Sequence, residues 1–230
     1  MSDLDSVAKI VRQFYRLTGS ISSDGELVRQ GEAVDDVVYQ ALTEGTRAAQ
    51  LWMLDNGYHG WRSRSSAITW LGTEAANGGR YVALPATYLR LYGDMHPGKS
   101  ALVEADGTPW GQQIDAGDDR AQGHYYYVRG EELWITRLAS PPTTLYIDFH
   151  ARHPAWTAAV TIDFPTLARG LLAPKAASIA MEENWLPGGE EMLAKIERAM
   201  MKAEQRARLV ARQTKQPRRM KEPYRAGNNW

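Results

Sequence analysis

The stretch HYYYVRGEELWITRL, residues 124–138, decides how the chain is read. Two runs rich in Tyr, Trp, Ile, Val and Thr flank the turn Arg129-Gly130-Glu131, the pattern of a β-hairpin. In the second run Leu133, Ile135 and Arg137 face one way and Trp134, Thr136 and Leu138 the other, the period-two alternation of a half-buried strand. The surroundings repeat this style. SAITWLG, RYVALP, TYLRLY, SALVEADG and TTLYIDFHA are short, aromatic and β-branched, and turn residues such as NGG, HPG, DGTPWG, DAGDD and SPPT separate them. The expectation is an antiparallel β unit over residues 63–155.

Helical periodicity lies on both sides of that unit. Leu4, Val7, Ile10, Val11, Phe14 and Leu17 recur at helical spacing, with Ser2 or Asp3 to cap the start and Gly19 to stop it. A second helix is expected from Glu32 to Asn56, with Val34, Val38, Ala41, Ala48 and Trp52 on one face. Gly170 and Pro174 break the next stretch of helix formers, and a third helix is expected to start near Ala173. In EEMLAKIERAMMKAEQRARLVARQ, Leu193, Ile196, Met200, Ala203, Ala207 and Val210 give a 3-4-3-4-3 stripe, the pattern of a long amphipathic helix. From Thr214, TKQPRRMKEPYRAGNNW has two prolines and no periodicity, and reads as an extended basic tail. The fold class expected is α+β: two N-terminal helices (residues 1–62) and two C-terminal ones (156–213) as a helical bundle with an inserted antiparallel β domain, plus a tail over 214–230.

Composition narrows the function classes. Of 230 residues 43% are hydrophobic and 23% charged, ordinary for a folded chain, and no stretch has the apolar length of a membrane span. The acidic start MSDLD does not resemble a signal peptide, which predicts a protein that works without export. With no cysteine there are no disulfides, thiol nucleophiles or thiolate metal sites. The net charge is zero, but Gln205–Trp230 holds eight Lys/Arg against Glu222 alone, about +7, which leaves about −7 on Met1–Glu204. An acidic body with a basic end points to a partner that the end docks on. Eight tryptophans are many for this length, and some are expected at interfaces.

The catalytic signals are weak. GDMHPGKS, residues 93–100, matches the phosphate-cradle pattern with Lys99 and Ser100 at its end. A working cradle opens a helix, whereas ALVEADGTPWG reaches a turn and Pro109 within a few residues, so the match reads as a hairpin turn. His150 and His153 follow a strand just before Pro154 and read as surface or partly buried histidines, not metal ligands. Asp115, Asp118 and Asp119 lack the twelfth-position Glu of an EF-hand and read as a solvated loop. No enzyme, cofactor or metal is expected.

The segment Arg80–Pro154 resembles the head-to-tail connector adaptor proteins of tailed bacteriophages. The resemblance rests on ALPATYLRLYG (Ala83–Gly93), then GHYYYVRGEELWITRLASPPTTLYIDFHARHP (Gly123–Pro154), with flanking helices and a long C-terminal helix ending in a tail. It implies a structural, non-catalytic virion protein of the neck, assembled in the host cytoplasm. Such a protein forms a homo-oligomeric ring of about twelve copies under the portal protein, extends the DNA channel without binding DNA specifically, and docks the next neck or tail protein. By the same analogy Lys215, Arg218, Arg219, Lys221, Tyr224, Arg225 and Trp230 are the expected portal-binding residues, the cations steering and the aromatics anchoring. Two alternatives are a neck stopper or tail-completion protein, and a nucleic-acid-binding protein that uses the basic tail.

Overall fold

The computed structural model describes residues 3–19, 36–68, 72–73, 80–92, 100–104, 106, 108–114, 125–136, 144–186 and 188–215. The fold is mixed α+β, in two compact units: residues 1–58 with 155–230, and residues 59–154.

In the first unit, α1 (Asp3–Thr18) buries Val7, Ile10, Val11, Phe14 and Leu17, and Gly19, at φ +69°, ends it where a residue with a Cβ is disfavoured. Helix α2 (Asp36–Asp55) buries Val38, Ala41, Leu42, Ala49 and Met53 and packs on α3 (Leu172–Glu182). At that crossing a Cβ on Gly45 would run into the Ala176 backbone, so the close approach requires glycine. The indole of Trp156 closes the same region: its Nε1–H donates to Thr46 Oγ1 at 2.8 Å and its backbone N–H to Thr43 Oγ1 at 2.9 Å.

Residues Thr166–Leu171 form a 3-10 helix, and α3 follows directly. Pro174 does not break α3 because it sits in the first turn, where backbone N–H groups have no intrahelical partner. Helix α4 (Glu190–Lys215) packs on the 3-10 helix and α3 through Ile196, Ala203, Ala207 and Ala211, and a 3.2 Å Lys175–Glu204 ion pair flanks the contact. Two expectations change here. Thr214 and Lys215 are the end of α4, not the start of a tail. Leu193 is 41% exposed, and the buried position at the other end of the stripe is Ala211.

Among its described residues the second unit holds nine strands: β1 (Arg62–Arg64), β2 (Gly72–Thr73), β3 (Arg80–Ala83), β4 (Tyr88–Leu91), β5 (Leu102–Glu104), β6 (Gln112–Gln113), β7 (Tyr125–Arg129), β8 (Glu132–Thr136) and β9 (Leu145–Ala151). Strand β9 organises one sheet, with β1 on one edge and β4 and β5 sharing the other, all antiparallel. The other sheet runs β2-β3-β8-β7-β6. The hairpin β7–β8 is registered Arg129↔Glu132 through Val128↔Leu133 to Tyr125↔Thr136, and Gly130 at φ +63° makes its turn. The alternation read from sequence fixes the core. Leu133, Ile135, Tyr126 and Val82 of one sheet pack with Leu145, Ile147, Phe149, Leu91 and Leu102 of the other.

Two strand expectations need correction, and strand β1 has no sequence signal. The unit is not wholly antiparallel: β6 pairs with β7 in parallel. Ser66–Ile68 of SAITWLG form no strand, although Ser65 and Ile68 donate backbone hydrogen bonds to the Ile147 and Leu145 carbonyls. Strand β1, Arg62-Ser63-Arg64, has no apolar alternation. A polar contact with β9 holds it instead.

Candidate functional site

Of the residues expected to bind a portal, Lys215 is the last residue of α4. Arg218, Arg219, Lys221, Tyr224, Arg225 and Trp230 lie outside the described residues. The basic character does start earlier on α4. Arg208 sits 5.8 Å from the ring of Trp52, and Arg206 lines a groove between α1, the 3-10 helix and α4.

That groove has a volume of about 560 Å³. Its floor includes Ile10 and Ala203, and Leu167, 60% exposed, belongs to its lining. Lys9, Lys202 and Arg206 line it too, with no carboxylate among the lining residues. Arg169 is fixed in place by donating to the Phe164 carbonyl at 3.0 Å and the Ile162 carbonyl at 3.2 Å. The combination of cations and apolar floor suits an acidic protein segment with an apolar side chain better than a bare phosphate. Sequence reasoning missed the groove because its cations come from α1, the 3-10 helix and α4, which are far apart in the chain.

The β unit contains a second polar constellation. On β9 the side chains of Leu145, Ile147 and Phe149 enter the core, so Asp148 and His150 share the opposite face. The Asp148 carboxylate, 1% exposed, takes hydrogen bonds from Arg62 at 2.5 Å and from Arg64 at 2.6 and 3.1 Å. Burial acts to raise its pKa, but the bonds from Arg64 and Arg62 outweigh burial and hold it below the ordinary value. Arg62 also lies 4.1 Å over the ring of Tyr92. His150 is fully buried, stacked 5.4 Å from His59 and with the tilted ring of Tyr92 at 5.5 Å, which corrects the expectation of a surface or partly buried residue. His153 is buried as well, its Nδ1 2.7 Å from the Pro154 carbonyl oxygen. Among the described residues no group of three or more His, Asp or Glu could hold a metal ion. Asp115, Asp118 and Asp119 fall outside them.

Gly93–Lys99 of the phosphate-cradle match also lie outside the described residues. Ser100 does not. Its hydroxyl donates to the Trp110 carbonyl at 2.5 Å and accepts from the Leu102 N–H at 3.1 Å, and strand β5 follows it, not a helix. Of the described tryptophans, Trp61, Trp110, Trp134 and Trp156 are buried, whereas Trp52 and Trp185 are partly exposed. Among the described residues no helix is long and apolar enough to cross a membrane. No protein-family model matches the chain, and no curated protein matches it.

Proposed function

We propose that this chain is a structural head-to-tail adaptor of a tailed bacteriophage, a neck protein without catalytic activity of its own. In this reading the four helices form a bundle, the β unit is an insertion between α2 and the 3-10 helix, and residues 216–230 are an extended tail. Twelve or so copies form a ring under the portal, prolong the DNA channel and present the next neck protein with a docking surface. The tail, Lys215 with Arg218, Arg219, Lys221, Tyr224, Arg225 and Trp230, binds the portal.

One observation carries the reading. A 26-residue helix leads directly into a basic, aromatic-ended segment, on a chain whose first 204 residues are net acidic. Such an arrangement suits attachment of a folded body to a large partner through an extensible anchor, with charge steering the encounter and Tyr224 and Trp230 filling pockets. The resemblance of Arg80–Pro154 to connector adaptors gives the partner its identity.

The test mixes the purified protein with the portal encoded in the same genome and images it by negative-stain electron microscopy. The full chain is compared with a version lacking Thr214–Trp230. A ring stacked on the portal, lost with the tail, is the expected result. Association by neither form overturns the adaptor reading and favours a more distal neck protein. Strongly salt-dependent binding to duplex DNA, with no portal binding, favours a nucleic-acid role instead.

A further inference from the structure

Helix α4 carries a second feature that its apolar stripe did not foretell. Leu193 lies exposed between Glu190, three residues before it, and Glu197, four residues after it, so the three share one helix face. Both glutamates are exposed, and no cation among the described residues pairs with either. The groove lined by Lys9, Lys202, Arg206 and Leu167 is its chemical complement. It has cations that no described carboxylate pairs with, around an apolar floor and an exposed leucine.

The spacing relates the two surfaces. Leu193 to Lys202 and Glu197 to Arg206 are each nine residues, about two and a half helical turns. At about 100° per residue the acidic face and the groove face therefore lie on opposite sides of α4, and about 13 Å apart along it. Surfaces that are complementary to one another, and not to themselves, and that face opposite ways give a head-to-tail contact, in which each copy engages two neighbours.

We propose that α4 supplies both halves of a contact between copies of this chain: Glu190, Leu193 and Glu197 of one copy enter the groove lined by Lys9, Lys202, Arg206 and Leu167 of the next. Leu193 packs on Leu167 and the groove floor, and the glutamates meet the lysines and arginine. The inference rests on the adaptor reading only for closure of the contact into a ring. The contact itself stands on the charge and shape of the helical unit.

The experiment uses the full chain and two surface variants. One is Glu190→Gln with Leu193→Ser and Glu197→Gln; the other is Leu167→Ser with Lys202→Gln and Arg206→Gln. Circular dichroism first establishes that both fold. Sedimentation equilibrium is then run at about 0.5 mM, where even a sub-millimolar contact is populated. The wild type is expected to self-associate, and to dissociate at least about tenfold more readily as salt rises from about 50 to 300 mM. Each variant alone should be monomeric, while an equimolar mixture forms a one-to-one heterodimer that cannot extend, because each partner retains one working surface. A monomeric wild type under these conditions overturns the proposal. So does self-association that both variants retain, or a mixture that gains nothing over its parts. Binding of the portal by the tail depends on none of these residues, so failure here leaves the adaptor reading standing.

Discussion

Asp148 and Arg64 face each other across the β1–β9 ladder, and Arg64 reaches both oxygens of a carboxylate that is almost wholly buried. Arg62 completes the arrangement from two residues away on the same strand. One carboxylate thus fixes the register of a three-residue edge strand that has no apolar side of its own to specify it. The two guanidiniums remain about half exposed and stay hydrated, so the contact escapes most of the desolvation cost of a fully buried pair.

Asp148→Asn should therefore destabilise the protein by about 2 kcal/mol at pH 7, the scale of losing charge-assisted hydrogen bonds. The pH dependence follows from the direction of the shift. The folded Asp148 carboxyl titrates below its unfolded value. Its contribution is therefore complete above about pH 4, the unfolded value, and is lost as pH falls through the folded one. Urea unfolding from pH 7 down to about 3 should show a smaller loss of stability in Asp148→Asn than in the wild type. Equal slopes in that window would remove Asp148 from the acid transition.

The α2–α3 crossing gives a second expectation. Alanine at Gly45 would set its Cβ 2.5 Å from the Ala176 Cα and against the backbone nitrogen, and rigid backbone cannot swing aside. Alanine gains about 1 kcal/mol in helix propensity over glycine, but separating two packed helices costs about 1–3 kcal/mol or more. Gly45→Ala should lower the melting temperature. Gly170→Ala, whose Cβ would meet only Ala203 Cβ at 3.8 Å, should leave it nearly unchanged.

Trp156 should prove equally specific. Trp156→Phe keeps most of the apolar volume but removes the Nε1–H that Thr46 Oγ1 accepts, at a buried site. A loss of about 1–2 kcal/mol is expected, part of it recovered when Thr46→Val is added, since replacing both polar partners is cheaper than stranding one. A double-mutant cycle by chemical denaturation measures the coupling.

These contacts show why some of the molecule can be read in the sequence and some cannot. The helices and the β7–β8 hairpin are legible because their signals are local: the spacing of Val7, Ile10, Val11 and Phe14, or the alternation around Leu133 and Ile135. Strand β1 is not, because Arg62 and Arg64 owe their placement to Asp148, 84 residues beyond Arg64. Parallel pairing of β6 rests on two residues, Gln112 and Gln113, that carry no strand pattern. His150 sits in a strand whose alternation was visible, but its burial depends on His59 and Tyr92, both distant in sequence. Leu193 fits the apolar stripe of α4, yet the stripe extends one turn beyond what α1, α3 and the 3-10 helix cover. The groove has the same cause, since only folding brings Lys9 to Lys202.

Ser100 allows the phosphate-cradle match to be tested at a residue whose structure is known. In a working cradle the serine hydroxyl is free to bind a metal ion beside the phosphates, and the helix that follows presents its N–H groups. Here the hydroxyl is buried and engaged twice, by the Trp110 carbonyl and the Leu102 N–H, and the Tyr126 hydroxyl beside it takes the Ala101 N–H at 2.7 Å. The serine thus pins the start of β5 against the Trp110 turn. Ser100→Ala should cost about 1–2 kcal/mol of stability, because it strands a buried N–H and a buried carbonyl. Lys99→Ala should leave stability alone, and calorimetric titration of either variant or the wild type with ATP or GTP and magnesium should give no binding heat. Saturable nucleotide binding that Lys99→Ala abolishes would reverse this reading and return the chain to the enzymes.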